Sequence, residues 1–185
     1  MNMKAKPLVS AGILVALGVL IPVIFHVTGV GGTIFLPMHI PVLFAGIILG
    51  PGLGALVGLL CPVLSHLLTG MPPVSPMPIM PLMVVELAVY GAVMGFLTHR
   101  VRSIWVSLVG AMVLGRVALG LAVAVIAPLY NVPLQPLTYV QGAIASGLPG
   151  IVIQLLLIPP VAQRFFLSRA NKGKADYGLS LGEAE

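Results

Sequence analysis

The sequence predicts an all-α integral membrane protein, a bundle of six transmembrane helices with both termini in the cytoplasm. Of the 185 residues, 59% are hydrophobic and only 7% are charged, whereas a soluble domain carries about 25% charged residues. The mean hydropathy is +1.15. Lipid is the solvent that suits this composition, and each span takes about 20 apolar residues. We expect one membrane domain over residues 1–166 and a polar, disordered cytoplasmic tail over residues 167–185.

The basic residues set the predicted orientation of this bundle. All but one of the nine Lys and Arg residues fall on one face of the six-helix arrangement. Cytoplasmic loops carry the excess of Lys and Arg in membrane proteins. This face is therefore expected to be cytoplasmic, with the links at residues 26–37, 69–81 and 129–141 outside. The residues on this face are Lys4, Lys6, Arg100, Arg102, Arg164, Arg169, Lys172 and Lys174.

The first helix is predicted over Leu8–Phe25, after Lys4 and Lys6. A secretory signal peptide has the same charge pattern, but this apolar run is long for one and no small-residue cleavage site follows it. An uncleaved helix is therefore expected. Gly12 and Ala16 stand four residues apart, a spacing that lets another helix approach closely. A glycine-rich link over residues 26–36 follows.

A tight helical hairpin is predicted next, with arms over Pro37–Leu49 and Gly52–Leu68. The corner Gly50-Pro51-Gly52 ends one helix and begins the next, because proline fixes φ and glycine tolerates the turn. Gly46, Gly50, Gly54 and Gly58 recur every four residues, which favours close helix packing. The hairpin brings His39 and His66 to the same outer side. It either serves packing alone or also frames a binding site.

A proline-rich outer loop is predicted over residues 69–81, TGMPPVSPMPIMP. Its prolines exclude a helix and favour a semi-rigid extended chain. The loop is either a simple connector or a lid over a pocket. Three further helices are predicted over Leu82–Thr98, Ile104–Pro128 and Gly142–Phe166, and the polar link Tyr130–Gln141 joins the last two.

Glu86 and Arg116 are the formally charged residues inside predicted spans. Each costs roughly 2.5–3.5 kcal/mol at a helix centre, so each needs a partner or a wet cavity. Helix rise places Glu86 roughly 6 Å and Arg116 roughly 18 Å from the outer helix ends, which disfavours a direct ion pair. The alternatives are a structural pair, ligand binding by either residue, or an Arg116 that binds helix carbonyls.

Polar and aromatic side chains near the outer face form the predicted substrate site. They suit a small polar heteroaromatic compound, with tyrosines as stacking surfaces. The candidate substrate-binding residues are Glu86, Tyr90, Arg116, His39, His66, Asn131, Gln135 and Tyr139.

Several kinds of chemistry lack their motif in this sequence. It contains no Gly-x-x-x-x-Gly-Lys-Ser/Thr loop for ATP, no His-Glu-x-x-His and no Gly-x-Ser-x-Gly. Four histidines without an acidic or cysteine cluster make a weak metal site, and Cys61 is the only cysteine. We expect no enzyme, cofactor or metal. A capturing subunit of an importer, a stand-alone proton- or sodium-coupled carrier, and a membrane enzyme or assembly factor remain open.

The hairpin and its flanks resemble a known family. The stretch FLPMHIPVLFAGIILGPGLGALVGLLCPVLSHLLTG, then the proline-rich link and VVELAVYGAVMGFL, are similar to the substrate-binding S-component of energy-coupling factor (ECF) vitamin transporters. The resemblance covers Leu8–Phe166. It implies a six-helix protein of a bacterial or archaeal plasma membrane, with a vitamin site in the outer half built by the outer loops and the fourth to sixth helices. Pyridoxine-, hydroxymethylpyrimidine-, niacin- and pantothenate-like compounds are the candidate substrates.

The resemblance also implies partners. They are a transmembrane coupling subunit and two cytoplasmic ATPase subunits, which use ATP in place of this chain. The family's first helix meets the coupling subunit through an alanine-xxx-alanine pair. Gly12 and Ala16 occupy the matching positions here, so the first small residue is glycine in place of alanine.

Overall fold

The computed structural model describes the backbone of residues 5–27, 32–101 and 103–182, and the side chains of residues 5–25, 34–101 and 103–164. Lys4, Arg102 and the last three residues of the predicted tail lie outside these ranges. The described backbone forms seven α-helices and no strand. They are α1 (Ala5–Val27), α2 (Gly32–Phe35), α3 (His39–Leu49), α4 (Pro51–Thr69), α5 (Ile79–Arg100), α6 (Ile104–Leu129) and α7 (Pro136–Gly182).

Five of these helices are long and apolar enough to cross a membrane. The eleven-residue α3 is apolar but spans only about 16 Å at 1.5 Å per residue. The all-helical class with several candidate membrane spans is therefore confirmed, while the membrane crossings themselves, the count of six spans and the orientation of the termini stay predictions. The five candidate spans are Ala5–Phe25, Pro51–Thr69, Ile79–Arg100, Ile104–Leu129 and Pro136–Arg164.

The predicted hairpin is confirmed. Gly50 adopts φ +85°, a backbone conformation that residues other than glycine rarely adopt. Its N–H donates to the Gly46 carbonyl at 3.0 Å, and its own carbonyl accepts from the Gly54 N–H at 2.9 Å. Pro51 then begins α4, where its missing N–H leaves no bond unmade. One glycine therefore ends α3 and starts α4 without a loop.

Helices α4, α5 and α6 run antiparallel, as their contacts show. Along α4, Gly54 packs on the backbone of Gly91, and Gly58 packs on the backbone of Leu87. Residues later in α4 therefore contact residues earlier in α5. Between α5 and α6 the same reversal appears, because Glu86 meets Arg116 and Leu97 meets Gly110. The glycines at the α4/α5 contact allow the two backbones to touch.

Helices α1 and α7 flank this central group. Gly18 of α1 lies against the buried Cys61 of α4, whereas Gly12 and Ala16 are exposed on the opposite side of α1. Gly150 of α7 packs on the backbone of Phe35 in α2. The small pair of α1 is thus open to contact from outside the bundle.

Three predicted helix starts were wrong in the same direction. Helix α1 begins at Ala5 instead of Leu8, α5 begins at Ile79 instead of Leu82, and α7 begins at Pro136 instead of Gly142. Each first turn includes a proline, which it accepts because its N–H groups have no intrahelical acceptor. The backbone of α7 also continues to Gly182, through most of the segment for which we expected disorder. The domain division at residue 166 stays a prediction.

Candidate functional site

Three ionisable side chains meet inside the bundle. Nη1 of Arg116 lies 2.7 Å from Oε1 of Glu86, and Nε2 of His39 lies 3.8 Å from the same oxygen. Their residues are 9%, 4% and 2% exposed, respectively. A buried charge needs a partner of this kind, because an isolated one is far more costly than a paired one.

The ion pair contradicts the expectation from helix depth. Because α5 begins at Ile79, Glu86 lies about 10 Å from the start of its helix, deeper than predicted. The long Arg116 side chain closes the remaining gap from α6. Of the alternatives left open, the direct Glu86–Arg116 pair is the one present in the structure.

Tyr90 supports this group from one side. Its ring meets the His39 ring edge to face, with centroids 5.0 Å apart and an interplanar angle of 87°. Gly115 of α6 leaves room for the same ring, since a Cβ there would overlap Tyr90. The ring is 1% exposed. Tyr90 is therefore packed between α3 and α6 and holds the imidazole in place.

A cavity of about 470 Å³ lies above the charged group, within the usual size range of small-molecule sites. Glu86, Arg116 and His39 form its polar floor, and the walls are mainly apolar. The lining comes from α1, the segment before α3, the end of α4 with the following loop, and α5, α6 and α7. The lining residues are Pro22, Leu36, Pro37, Met38, His39, Ser65, Met71, Pro72, Pro73, Ile79, Leu82, Met83, Glu86, Arg116, Leu119, Thr138, Tyr139, Gly142, Ala143 and Ser146.

The proline-rich loop forms part of the cavity wall and is tied to α4. The Ser65 hydroxyl donates to the Met71 carbonyl at 2.8 Å. Nδ1 of His66 lies 2.8 Å from the Pro72 carbonyl, which can only accept, so Nδ1 carries the proton. The Met80 N–H donates to the Pro73 carbonyl at 2.9 Å. His66 thus contacts the loop and does not line the cavity.

A second depression of about 670 Å³ lies between α6 and α7 and is almost entirely apolar. We call it the α6/α7 groove. Exposed Val117, Leu121 and Leu137 are among its lining residues. Tyr90 and Arg116 contribute its polar atoms, and Arg116 is the residue within the described chain that borders both the cavity and the groove.

The remaining predicted site residues take different places. Tyr139 lines the cavity from α7. Asn131 and Gln135 are exposed in the turn between α6 and α7 and do not line it. Sequence reasoning missed the apolar wall, including Met38 and Leu119, and the hydroxyl of Thr138. The sequence offers little signal for these residues, because lipid-facing and cavity-facing apolar residues look alike.

Basic residues mark the end of the bundle that lies away from the cavity. Lys6 and Arg100 lie at the far ends of α1 and α5 from the cavity-lining Pro22 and Glu86. Arg164 follows Ser146 of the cavity wall by about 27 Å of helix. Among the described residues, no group of three or more His, Cys, Asp or Glu side chains could hold a metal ion.

A helical protein with candidate membrane spans and a ligand-sized cavity, charged at its floor and apolar at its walls, has the features expected of a small-molecule membrane receptor or transporter. Comparison with protein families narrows this class. Residues 6–162 match the ECF transporter, substrate-specific component. The match covers most of the 185-residue chain, which therefore belongs to this family. Comparison with curated proteins and with solved structures gives no match.

Proposed function

We propose that this chain captures a small water-soluble vitamin or vitamin precursor from outside the cell and delivers it as the specificity subunit of an ATP-driven ECF transporter. The observation that carries the proposal is the cavity of about 470 Å³ with the Glu86–Arg116–His39 group at its floor. Family membership supplies the transporter class. The apolar walls bury the body of the ligand, and the floor orients its polar end.

The proline-rich loop acts as the lid in this proposal. Met71, Pro72 and Pro73 line the cavity, and the hydrogen bonds from Ser65 and His66 hold that part of the loop against α4. Release of the loop opens the site, and its return excludes water from the bound ligand. Loops of this kind also set how long a ligand remains bound.

Assembly with partners completes the proposed transporter. The exposed Gly12 and Ala16 on α1 offer a flat strip for a helix of the transmembrane coupling subunit. Two cytoplasmic ATPase subunits drive the complex with ATP. The stand-alone carrier hypothesis needs Glu86 to exchange protons freely, and its ion pair with Arg116 disfavours that role.

The orientation follows from the ends of the bundle. The cavity lies opposite Lys6, Arg100 and Arg164, so the positive-inside rule places it on the outer side of a plasma membrane. In a Cys61→Ala background, Val74→Cys and Val132→Cys should react with an impermeant thiol reagent added to intact cells. Ser103→Cys should not react. Labelling of Ser103→Cys in intact cells would contradict this orientation.

Two measurements test the function itself. Native mass spectrometry of the gently purified protein should detect a bound compound of vitamin size. Uptake of that compound should need this chain together with the coupling and ATPase subunits, and should cease when the ATPases carry a disabled ATP site. Uptake by this chain alone, driven by a proton gradient, would replace the proposal with the carrier hypothesis.

A further inference from the structure

The polar floor of the cavity offers one hydrogen-bond acceptor beside one donor. Oε1 of Glu86 is fully enclosed where it meets Arg116 and His39. This leaves Oε2 as the acceptor through which Glu86 can meet a molecule in the cavity. Nε and Nη2 of Arg116 are likewise enclosed, which leaves Nη1. An arginine Nη carries two N–H groups, so one remains after the contact with Glu86.

The Glu86–Arg116 pair also has no net charge to neutralise a charged ligand. The negative charge of Glu86 and the positive charge of Arg116 cancel at 2.7 Å. Bringing a carboxylate into this site would add an uncompensated negative charge to a buried, mainly apolar cavity. It would also place that charge next to Glu86, where like charges in a poorly solvated site repel strongly.

The walls favour a flat, polarizable body. Met38, Met71 and Met83 line the cavity, and thioether sulfurs make favourable contacts with aromatic rings. The hydroxyls of Ser65 and Ser146 are already bonded to the carbonyls of Met71 and Gly142. Few polar groups therefore remain to recognise a ligand away from the floor.

We infer that the ligand is an uncharged, hydroxyl-bearing heteroaromatic compound, not a carboxylate, with its hydroxyl at the Glu86–Arg116 pair. A hydroxyl donates one hydrogen bond and accepts others, so it matches both Oε2 of Glu86 and Nη1 of Arg116 at once. This inference rests on the proposed capture function and selects among the substrates that function allows. Pyridoxine-like and hydroxymethylpyrimidine-like compounds satisfy it, and niacin-like and pantothenate-like acids do not.

Matched pairs of alcohols and acids test the inference. The probes are pyridoxine with 4-pyridoxate, hydroxymethylpyrimidine with its carboxylate, 3-pyridylmethanol with nicotinate, and pantothenol with pantothenate. Calorimetry on the full chain in lipid nanodiscs should show that the tightest-binding compound is a heteroaromatic alcohol. Its acid partner should bind roughly 10- to 100-fold more weakly, the effect of one hydrogen bond to a charged group.

The variant Glu86→Gln sharpens this test. It leaves Arg116 without its counter-charge, so alcohol binding should weaken by roughly 10- to 100-fold, and the preference for the alcohol over the acid should shrink or reverse. His99→Ala, whose ring bonds its own helix at the Gly95 carbonyl, is the matched control and should keep the wild-type preference. If the variant does not fold, the preference of the wild-type chain for alcohol over acid still tests the inference.

Three results would overturn the inference. They are tighter binding of an acid than of its alcohol, equal binding within each pair, and binding of none of the eight compounds. Each leaves the capture function to be judged separately. Detection of a bound compound and its ATP-dependent uptake, as described above, would uphold capture even if that compound proves to be a carboxylate.

Discussion

Helices α4 and α5 meet backbone to backbone, whereas α6 and α7 meet through side chains beside the cavity and the α6/α7 groove. At the first interface a Cβ on Gly54 would lie 2.5 Å from the Gly91 carbonyl oxygen, closer than real Cβ atoms come to such an atom. At the second, a Cβ on Gly120 would find only a Val140 methyl, at 3.4 Å. The cavity and the α6/α7 groove both have lining residues on these two helices.

The two regions therefore provide different parts of the site. The tightly packed α3–α5 group fixes Glu86, His39 and Tyr90, because a packed interior has few alternative arrangements. The α6 and α7 side provides Arg116 and part of the cavity wall. The charged floor therefore spans both regions, with Glu86 and His39 on the tightly packed side and Arg116 on the other.

The largest loss of stability should come from replacing Arg116, which lies on α6 and pairs with Glu86 of the tightly packed α3–α5 group. Arg116→Met leaves Glu86 buried without its counter-charge, and breaking a buried pair in this way costs about 3–5 kcal/mol. Thermal melting in detergent should show a large loss of stability. The double variant Arg116→Met, Glu86→Gln should regain much of that loss, because it removes the stranded charge. A double variant no more stable than Arg116→Met would show that the pair is not the cause.

A glycine exchange at each interface tests the packing contrast directly. Gly54→Ala should destabilise the protein by about 1–3 kcal/mol, the usual cost of overpacking, because the clash is with backbone that cannot rotate away. Gly120→Ala should be neutral or stabilising by up to about 1 kcal/mol, since alanine is the better helix former.

Gly52→Ala is the control within α4, because a Cβ there would have no neighbour within 4 Å. Melting temperatures of the three variants should therefore rank Gly54→Ala well below the other two. Equal melting temperatures for Gly54→Ala and Gly120→Ala would remove the distinction between the interfaces.

A smaller effect is expected at the loop. His66→Ala removes the bond to the Pro72 carbonyl, which contributes about 1 kcal/mol. Ligand affinity should fall roughly fivefold at 1.4 kcal/mol per tenfold change, mainly through faster dissociation. His99→Ala loses a bond of similar length, 2.7 Å, at the opposite end of the bundle and should leave affinity unchanged. Equal dissociation rates for the two variants would argue against the loop as a lid.

The smallest effect on the isolated protein should come from the exposed strip of α1. Gly12→Leu and Ala16→Leu change exposed positions, and a Cβ on Gly12 would meet no atom of the described chain within 4 Å. Neither variant should therefore destabilise the protein by more than about 0.5 kcal/mol. Ligand affinity should hold, while co-purification with the coupling subunit and transport should be lost. A marked loss of ligand binding would assign this strip to internal packing.

The hairpin could be predicted well because it depends on neighbouring residues. The site could be predicted only in part because it depends on contacts between residues far apart in the sequence. The Gly50-Pro51 corner could be predicted because proline and glycine fix backbone angles locally. Glu86 and Arg116 stood out because charge inside an apolar helix is costly. Their pairing could not be predicted, since it depends on where α5 begins and how far an arginine side chain reaches.

The polar residues of the last link lie away from the cavity lining. Asn131 and Gln135 are exposed and do not line the cavity, so their role in ligand binding stays a prediction. Polarity in a loop between spans indicates contact with water and says little about which loop covers a site. Which loop covers the cavity depends on the direction in which α7 leaves the turn. No single residue of the link determines that direction.

The position of Arg116 between the cavity and the α6/α7 groove has a consequence for membrane integrity around the site. Its charged head meets Glu86 on the cavity side, and its side chain also borders a groove whose exposed valines and leucines would meet acyl chains. A guanidinium holds water and repels hydrocarbon, while its aliphatic stem is compatible with both. In a bilayer, Arg116 would therefore separate the cavity from the acyl chains. Under the proposed function, a shorter side chain at this position would let lipid tails compete with the ligand for the floor of the site.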